Sequence, residues 1–387
     1  MSMYLRKKLF CCLIIILISL TTTSLAVAAP DAMQQPKEEV PKVTSKIFLI
    51  VIDGLQAETL QKTSAPNING IANTGIRCNQ VNSVFPDTAQ ATVTSVLTGM
   101  QPQRHKFLQK GDKFEGKTIQ TLMEEKQIKT AFFGAEGELK KIQSKDGYSC
   151  SGPFNGKDEL VITNLLNEWN QGPSYFNVIV MPQLREDLKK HGVKSNEYKM
   201  AVTNTDSQVG RLLKKLHDEN IFDNSMIIIT GTLGAPPLII KGLPFEENNQ
   251  MPPIGICDIA PTIGYLNGVK LGEVDGLVLW NSFKEIGGQS KEYLLLERVK
   301  DLSEANAHLL HEMTRLQEEK LEVKQQQEMV AREKEDIQRQ IEIRDKKIDG
   351  FKNRITIYHL IAFVALGFFG LGYFIMYRLL RKRFLMF

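Results

Sequence analysis

Asp53 is the first residue in the chain placed for chemistry. It closes a continuous apolar run, Ile47 to Ile52, and precedes Gly54. A run that is apolar at every position fits a strand buried on both faces of a parallel sheet. In open α/β sheets, sites form beyond the carboxyl ends of such strands, which makes Asp53 a candidate site residue. Cysteine offers less. Cys11 and Cys12 fall in the amino-terminal apolar segment, leaving Cys78, Cys150 and Cys257. Three is odd, so at most one internal disulfide forms, and no CxxC or Cys/His zinc spacing is present. A net charge of +4 over 387 residues gives no sign of a nucleic-acid binder. The basic residues at the two ends have a membrane explanation instead.

The elements that must position Asp53 follow from periodicity. Further apolar runs at Thr130–Phe133, Tyr175–Met181, Met226–Thr230 and Leu238–Ile240 predict strands. Helical patterns cover Thr118–Gln127, Asp158–Trp169 and Asn196–Leu216. The last begins after Ser195, an expected N-cap, with Glu197 in its first turn. Strands alternating with helices predict an α/β fold with a mainly parallel sheet. This domain is expected to span residues 46–285.

The flanks have a different character. Arg6, Lys7 and Lys8, the apolar run Leu9–Leu20 and the small residues Ala26-Val27-Ala28 form a secretory signal over residues 1–29. A Pro-containing linker follows, residues 30–45. Residues 286–352 form a stalk rich in Glu, Lys, Gln and Arg, in which an unbroken heptad runs from Val299 to Phe351. Its d positions are mostly apolar. Asn306 at an a position favours a parallel coiled-coil dimer, and Glu319 with Lys324 has the spacing of an interchain pair. Ile355–Tyr377 is nearly free of charge and spans about 34 Å as a helix, enough to cross a bilayer. Arg378, Arg381, Lys382 and Arg383 mark its cytoplasmic side. The expected arrangement is a cell-membrane protein with domain and stalk outside the cytoplasm and residues 378–387 inside.

The segments Ile50-Val-Ile-Asp-Gly-Leu55, Val84-Phe-Pro-Asp-Thr-Ala-Gln-Ala and Leu97-Thr-Gly-Met-Gln-Pro-Gln-Arg-His105 resemble the alkaline phosphatase superfamily, and within it the type I phosphodiesterase/nucleotide pyrophosphatase family. Asp206–Leu213, Cys257-Asp258-Ile-Ala-Pro-Thr-Ile263 and Asp275-Gly276 extend the resemblance. It implies an alkaline-phosphatase-like sheet flanked by helices, two divalent metals such as zinc, and a Thr or Ser nucleophile. Carried over, Asp53 is a retained metal ligand. Counting back from Thr98-Gly99 puts the nucleophile at Ala89, and a shift of one residue puts it at Thr88. The Asp-x-x-x-His ligand pair falls on Arg185 and Lys189 without gaps, or on Asp187 and His191 with them. The Asp-His pair after the later strand is replaced by Thr232 and Leu233. The last ligand has no counterpart, since no His lies between His217 and His308.

The resemblance therefore implies a site poor in ligands, and no cofactor is expected. Arg185 and Lys189 are read as solvated charge or as contacts to a phosphate or other anion. Three functions follow. One is a catalytically degenerate binding or scaffold domain on a membrane stalk. The second is an active metal-dependent phosphodiesterase or phosphatase using Thr88 with Asp53, Asp87, Asp187 and His191. The third is an envelope tether or spacer.

Overall fold

The computed structural model describes residues 46–144, 148–150, 154–169, 172–285 and 288–384. The expected signal, the linker and the last three residues of the tail lie outside the described residues. In chain order the strands are β1 (Ile47–Ile52), β2 (Ile76–Cys78), β3 (Val81–Asn82), β4 (Thr130–Phe133), β5 (Tyr148–Cys150), β6 (Phe176–Met181), β7 (Met226–Gly231), β8 (Leu238–Lys241), β9 (Asn249–Gln250) and β10 (Ile254–Gly255). The helices of seven or more residues are α1 (Pro66–Asn73), α2 (Ala89–Thr98), α3 (Ile119–Glu125), α4 (Asp158–Glu168), α5 (Gln183–His191), α6 (Asn196–Asp218), α7 (Ile259–Leu266) and α8 (Lys291–Phe384).

Eight strands form one sheet in the order β5-β4-β6-β1-β7-β8-β2-β9. The pairings are parallel except where β8 runs against β7 and β2. All six residues of β1 are buried. They divide between two cores, because successive side chains of a strand point to opposite faces. Ile47, Leu49 and Val51 pack in the cluster that holds Val93 and Val96 of α2 and Ile263 of α7. Phe48, Ile50 and Ile52 pack with Ile68 of α1, Val161 of α4 and Val209 of α6. The expected strands and helices all form, with ends within two residues of their expected places. Ser195 caps α6 by accepting from the Tyr198 amide at 3.0 Å.

Several segments that carry the family resemblance act as structural buckles. Helix α1 starts after Ala65, which has no side chain able to cap it. The buried Asp206 of α6 does so instead, with Oδ1 accepting from Ile68 N at 2.8 Å and Oδ2 from Asn67 N at 3.2 Å. Asp258 accepts from Leu277 N at 2.8 Å and Gly255 N at 3.2 Å. Asp275 accepts from Gln101 N at 2.7 Å and pairs with Arg104 at 2.8 Å. The amides of Asp275 and Gly276 both donate to Gly99 O.

Among the described residues, those up to Ser303 form one compact unit, and those from Glu304 onward form a second. The first turns of α8 belong to the former. Leu294 is fully buried, and Arg298 donates to Val278 O at 3.0 Å. In the second unit α8 carries exposed apolar residues along its length, and its last part is long and apolar enough to cross a membrane.

Replacing Asp206 with alanine leaves two amides of α1 without their acceptor and removes the shorter of the two bonds that the Asn67 side chain makes to this residue. A loss of about 1–3 kcal/mol is expected, read as a lower urea midpoint with an unchanged slope. A change of less than about 0.5 kcal/mol would remove the capping role.

Candidate functional site

The site is built where three adjacent strands end together. Ile52 of β1 lies level with Met181 of β6 and Gly231 of β7. The residues just beyond these ends therefore meet: Asp53 after β1, Arg185 in the first turn of α5 after β6, and Thr232 after β7. Arg185 Nε lies 3.0 Å from Asp53 Oδ1. Its Nη2 donates to Thr232 Oγ1 at 3.2 Å and to Asp87 O at 2.5 Å. The Thr232 hydroxyl donates to Asp53 Oδ1 and accepts from Gly54 N at 2.9 Å. The Asp53 side chain is 8% exposed and that of Arg185 is 14% exposed. Most of this charge pair is thus removed from water.

The backbone explains the Asp-Gly dipeptide. Gly54 has φ of +97°, and a Cβ there would stand 2.9 Å from Arg185 N. Only glycine combines that conformation with so close an approach. Tyr198 of α6 donates its hydroxyl to Gly54 O at 2.5 Å, which ties the turn to the helix behind it. Burial pushes the Tyr198 phenol up to about 12.

The other expected residues fall in different places. Thr88 is the N-cap of α2. Its Oγ1 accepts from Ala91 N at 3.1 Å, and its hydroxyl reaches Leu108 O at 3.4 Å. Ala89 is the first residue of α2. Asp187 is half-buried on α5, and His191 is the last residue of that helix and exposed. Lys189 is exposed and paired with Glu186 at 2.9 Å. Of Arg185 and Lys189, only Arg185 reaches Asp53.

A two-metal centre needs a convergent set of carboxylates and imidazoles. The groups gathered on Asp53 Oδ1 are a guanidinium and a hydroxyl. Among the described residues, no group of three or more His, Cys, Asp or Glu side chains is placed to hold a metal ion. The donors around Asp53 thus do not fit the pair of divalent cations that the family uses. Cys257 does not supply the difference. Burial, with Asp258 and Asp275 nearby, pushes its thiol up to about 12, and a protonated thiol is a poor ligand. His105 is also committed. Phe107 N donates to its Nδ1 at 3.1 Å, so the ring proton lies on Nε2, 3.0 Å from Ser95 Oγ. Burial lowers its pKa to about 4.

One titratable group beside the site was not signalled by the sequence. Asp158, in the first turn of α4, accepts from Gln183 N at 3.0 Å and from the Thr205 hydroxyl at 2.7 Å. It is 1% exposed. Desolvation first, then the charges of Asp187 and Asp53, raise its pKa to about 6. In the sequence it reads as an ordinary helix-start acid. Only the packing of α5 and α6 over it reveals its burial.

The sequence profile of the type I phosphodiesterase / nucleotide pyrophosphatase family matches residues 47–136 and 118–362. Among solved structures, an inactive threonine-to-alanine variant of murine ectonucleotide pyrophosphatase / phosphodiesterase 5 in complex with AMP aligns with a TM-score of 0.55. It is 12% identical and covers 60% of this chain and 97% of its own. The human ectonucleotide pyrophosphatase / phosphodiesterase 5 aligns with a TM-score of 0.53 at 11% identity, covering 60% of this chain and 97% of its own. At these identities the likeness is one of fold. No curated protein sequence matches the chain significantly.

Two predictions follow from this geometry. Arg185→Ala strands the Asp53 carboxylate in a desolvated place and is expected to cost about 3 kcal/mol. Arg185→Lys should recover little, because one ammonium cannot reproduce the Nε and Nη2 contacts. Asp53→Asn with Arg185→Met should be less destabilised than the sum of the single changes. Strict additivity in chemical unfolding would refute the pairing.

For Asp158 the sign is set by a folded pKa above the unfolded value of 3.8. Its stabilising contribution is complete below the unfolded value and is lost as pH rises through about 6. Asp158→Asn is expected to leave stability at pH 4 nearly unchanged. At pH 8 it should raise stability by as much as about 3 kcal/mol. Parallel stability-versus-pH curves for the two proteins would overturn this.

Proposed function

The chain belongs to the type I phosphodiesterase / nucleotide pyrophosphatase family, and from that premise we propose that it is a catalytically degenerate member: a binding or scaffold domain held outside the cytoplasm by a membrane anchor. The observation that carries the reading is the contact between Arg185 and Asp53. A guanidinium can neutralise the carboxylate as a metal ion would, and it can hold an anion. It cannot act as a Lewis acid of a metal's strength. As a permanent cation with donors only, it cannot serve as a base. Neither the attacking group nor water is activated by such a centre, which removes the two roles metals play in this chemistry.

The nucleophile turn agrees with this reading. The position reached by counting back from Thr98-Gly99 is Ala89. In the murine relative, an alanine in place of a threonine accompanies the inactive form. Thr88 offers a hydroxyl one residue earlier, but that oxygen already caps α2. Its neighbour's carbonyl, Asp87 O, is bonded to Arg185.

In this proposal residues 1–29 direct export, 30–45 link to the domain at 46–285, and 286–352 form the stalk. Residues 355–377 cross the membrane, leaving 378–387 in the cytoplasm. The apolar stretch of α8 and the basic residues Arg378, Arg381, Lys382 and Arg383 beyond it support the last two assignments.

The test is hydrolysis of bis(4-nitrophenyl) phosphate by the purified full chain with zinc, manganese or calcium added. Turnover no faster than the metal alone, and unchanged by Asp53→Ala, is expected. Metal-dependent turnover that disappears in both Asp53→Ala and Thr88→Ala would establish the hydrolase reading instead. Activity lost in neither variant would place the chemistry in a contaminant and leave the inert reading standing.

A further inference from the structure

From Glu304 onward, α8 presents an apolar stripe that nothing in its own unit covers. Leu309, Leu316, Val323, Val330 and Ile337, at d positions, are 52–66% exposed. The pattern of charge along this stripe identifies what covers it. Three cations interrupt the seam: Lys320 and Lys334 at a, and Arg344 at d. Each is followed or preceded by an acid at the flanking position: Glu319 and Glu333 at g, and Asp345 at e.

In a parallel two-stranded coil, an a side chain enters a hole that includes the partner's preceding g residue. A d side chain enters one that includes the partner's e residue. Lys320 thus meets Glu319 of the other helix, Lys334 meets Glu333, and Arg344 meets Asp345. Within one helix these neighbours do not face each other, since adjacent residues project about 100° apart. Among the described residues, the ion pairs of this segment are instead those of Arg315 and Arg339 with acids three or four positions away.

We propose that residues 306–351 pair with the same residues of a second copy of this chain, parallel and in register. Every seam cation then finds its acid in the identical sequence opposite, so no other partner is required to complete the pattern. Asn306 pairs with its own counterpart at an a layer, which fixes register and orientation. An antiparallel arrangement would set a against d and would bury Lys320, Lys334 and Asn306 on apolar residues. The segment is 46 residues by its numbering, about 70 Å of contact. The inference rests on the stalk assignment above and is independent of whether the domain hydrolyses anything.

The full chain in its native membrane fraction is used for the test, with single cysteines placed at Leu316 (d), Gln327 (a) and Ile337 (d), and at Gln325 (f) as the outward control. The unaltered chain supplies the blank for its own cysteines. Oxidation is expected to give same-residue dimers at 316, 327 and 337, with several-fold less at 325. In detergent, Glu319→Lys with Glu333→Lys should weaken dimerisation by about tenfold or more. Adding Lys320→Glu and Lys334→Glu should restore it.

Equal crosslinking at 325 and 327, crosslinks only between 316 and 337, or no dimer at any position would each overturn the proposal. The same holds if charge reversal has no effect. Same-residue dimers found in a soluble fraction would keep the pairing and remove the membrane anchor, so the two readings fail separately.

Discussion

A carboxylate at the end of the central strand cannot be left alone. Asp53 lies between two parallel neighbours, with its side chain largely out of water. An uncompensated charge in such a place costs several kcal/mol. The compensation here comes from within the chain, and it organises the surrounding backbone. Arg185 must stand in the first turn of α5 to reach Asp53, which brings α5 hard against Gly54 and excludes any Cβ there. The second arm of the guanidinium fastens the loop before α2 through Asp87 O. Thr232 gives its single proton to Asp53, which leaves its lone pairs to Gly54 N and Arg185. One cation thus joins the ends of three strands and the entry to a helix.

The remaining buried carboxylates of the domain are solved differently. Asp206 and Asp258 are met chiefly by main-chain amides, which lose little entropy because the fold already holds them. Asp258 also lies 3.8 Å from Arg298 at the base of α8. Desolvation nonetheless raises the pKa of Asp258 from its ordinary range. Asp158 is the least compensated, with a hydroxyl and one amide but, among the described residues, no cation paired with it. The contrast separates charge that holds the architecture from charge that would otherwise have to be neutralised by something bound.

Much of the architecture was legible because its signals are local. Ile47–Ile52 reads as a doubly buried strand from composition alone, and Ser195 reads as a cap from its position before a periodic stripe. The short strands β2, β3, β5, β9 and β10 were not legible, since two or three residues carry no period. Helix α7 is apolar all round, so Ile259–Leu266 shows no stripe to distinguish it from a strand. At the site, counting from the family segments named Arg185 and Thr232 as occupants of ligand positions. That they converge on one oxygen of Asp53 required the sheet order, because the ion pair spans 132 positions. Lys189 shows the limit of the count. It lies one turn further along α5 and bonds to Glu186 rather than to the site.

The family segments therefore have two separable reasons to persist. Asp206 caps α1, Asp258 holds the segment around Leu277, and Asp275 with Gly276 closes on Gly99. None of these contacts involves the cluster on Asp53, and each ties one segment of the domain to another. The family profile matches residues 47–136 and 118–362, a span that includes these contacts as well as the cluster on Asp53. Membership in the family is therefore a statement about the buckles and the sheet, whereas activity is decided by the few side chains beyond the ends of β6, β1 and β7. In this chain those side chains form a closed ion pair, so the fold and the chemistry have to be argued from different residues.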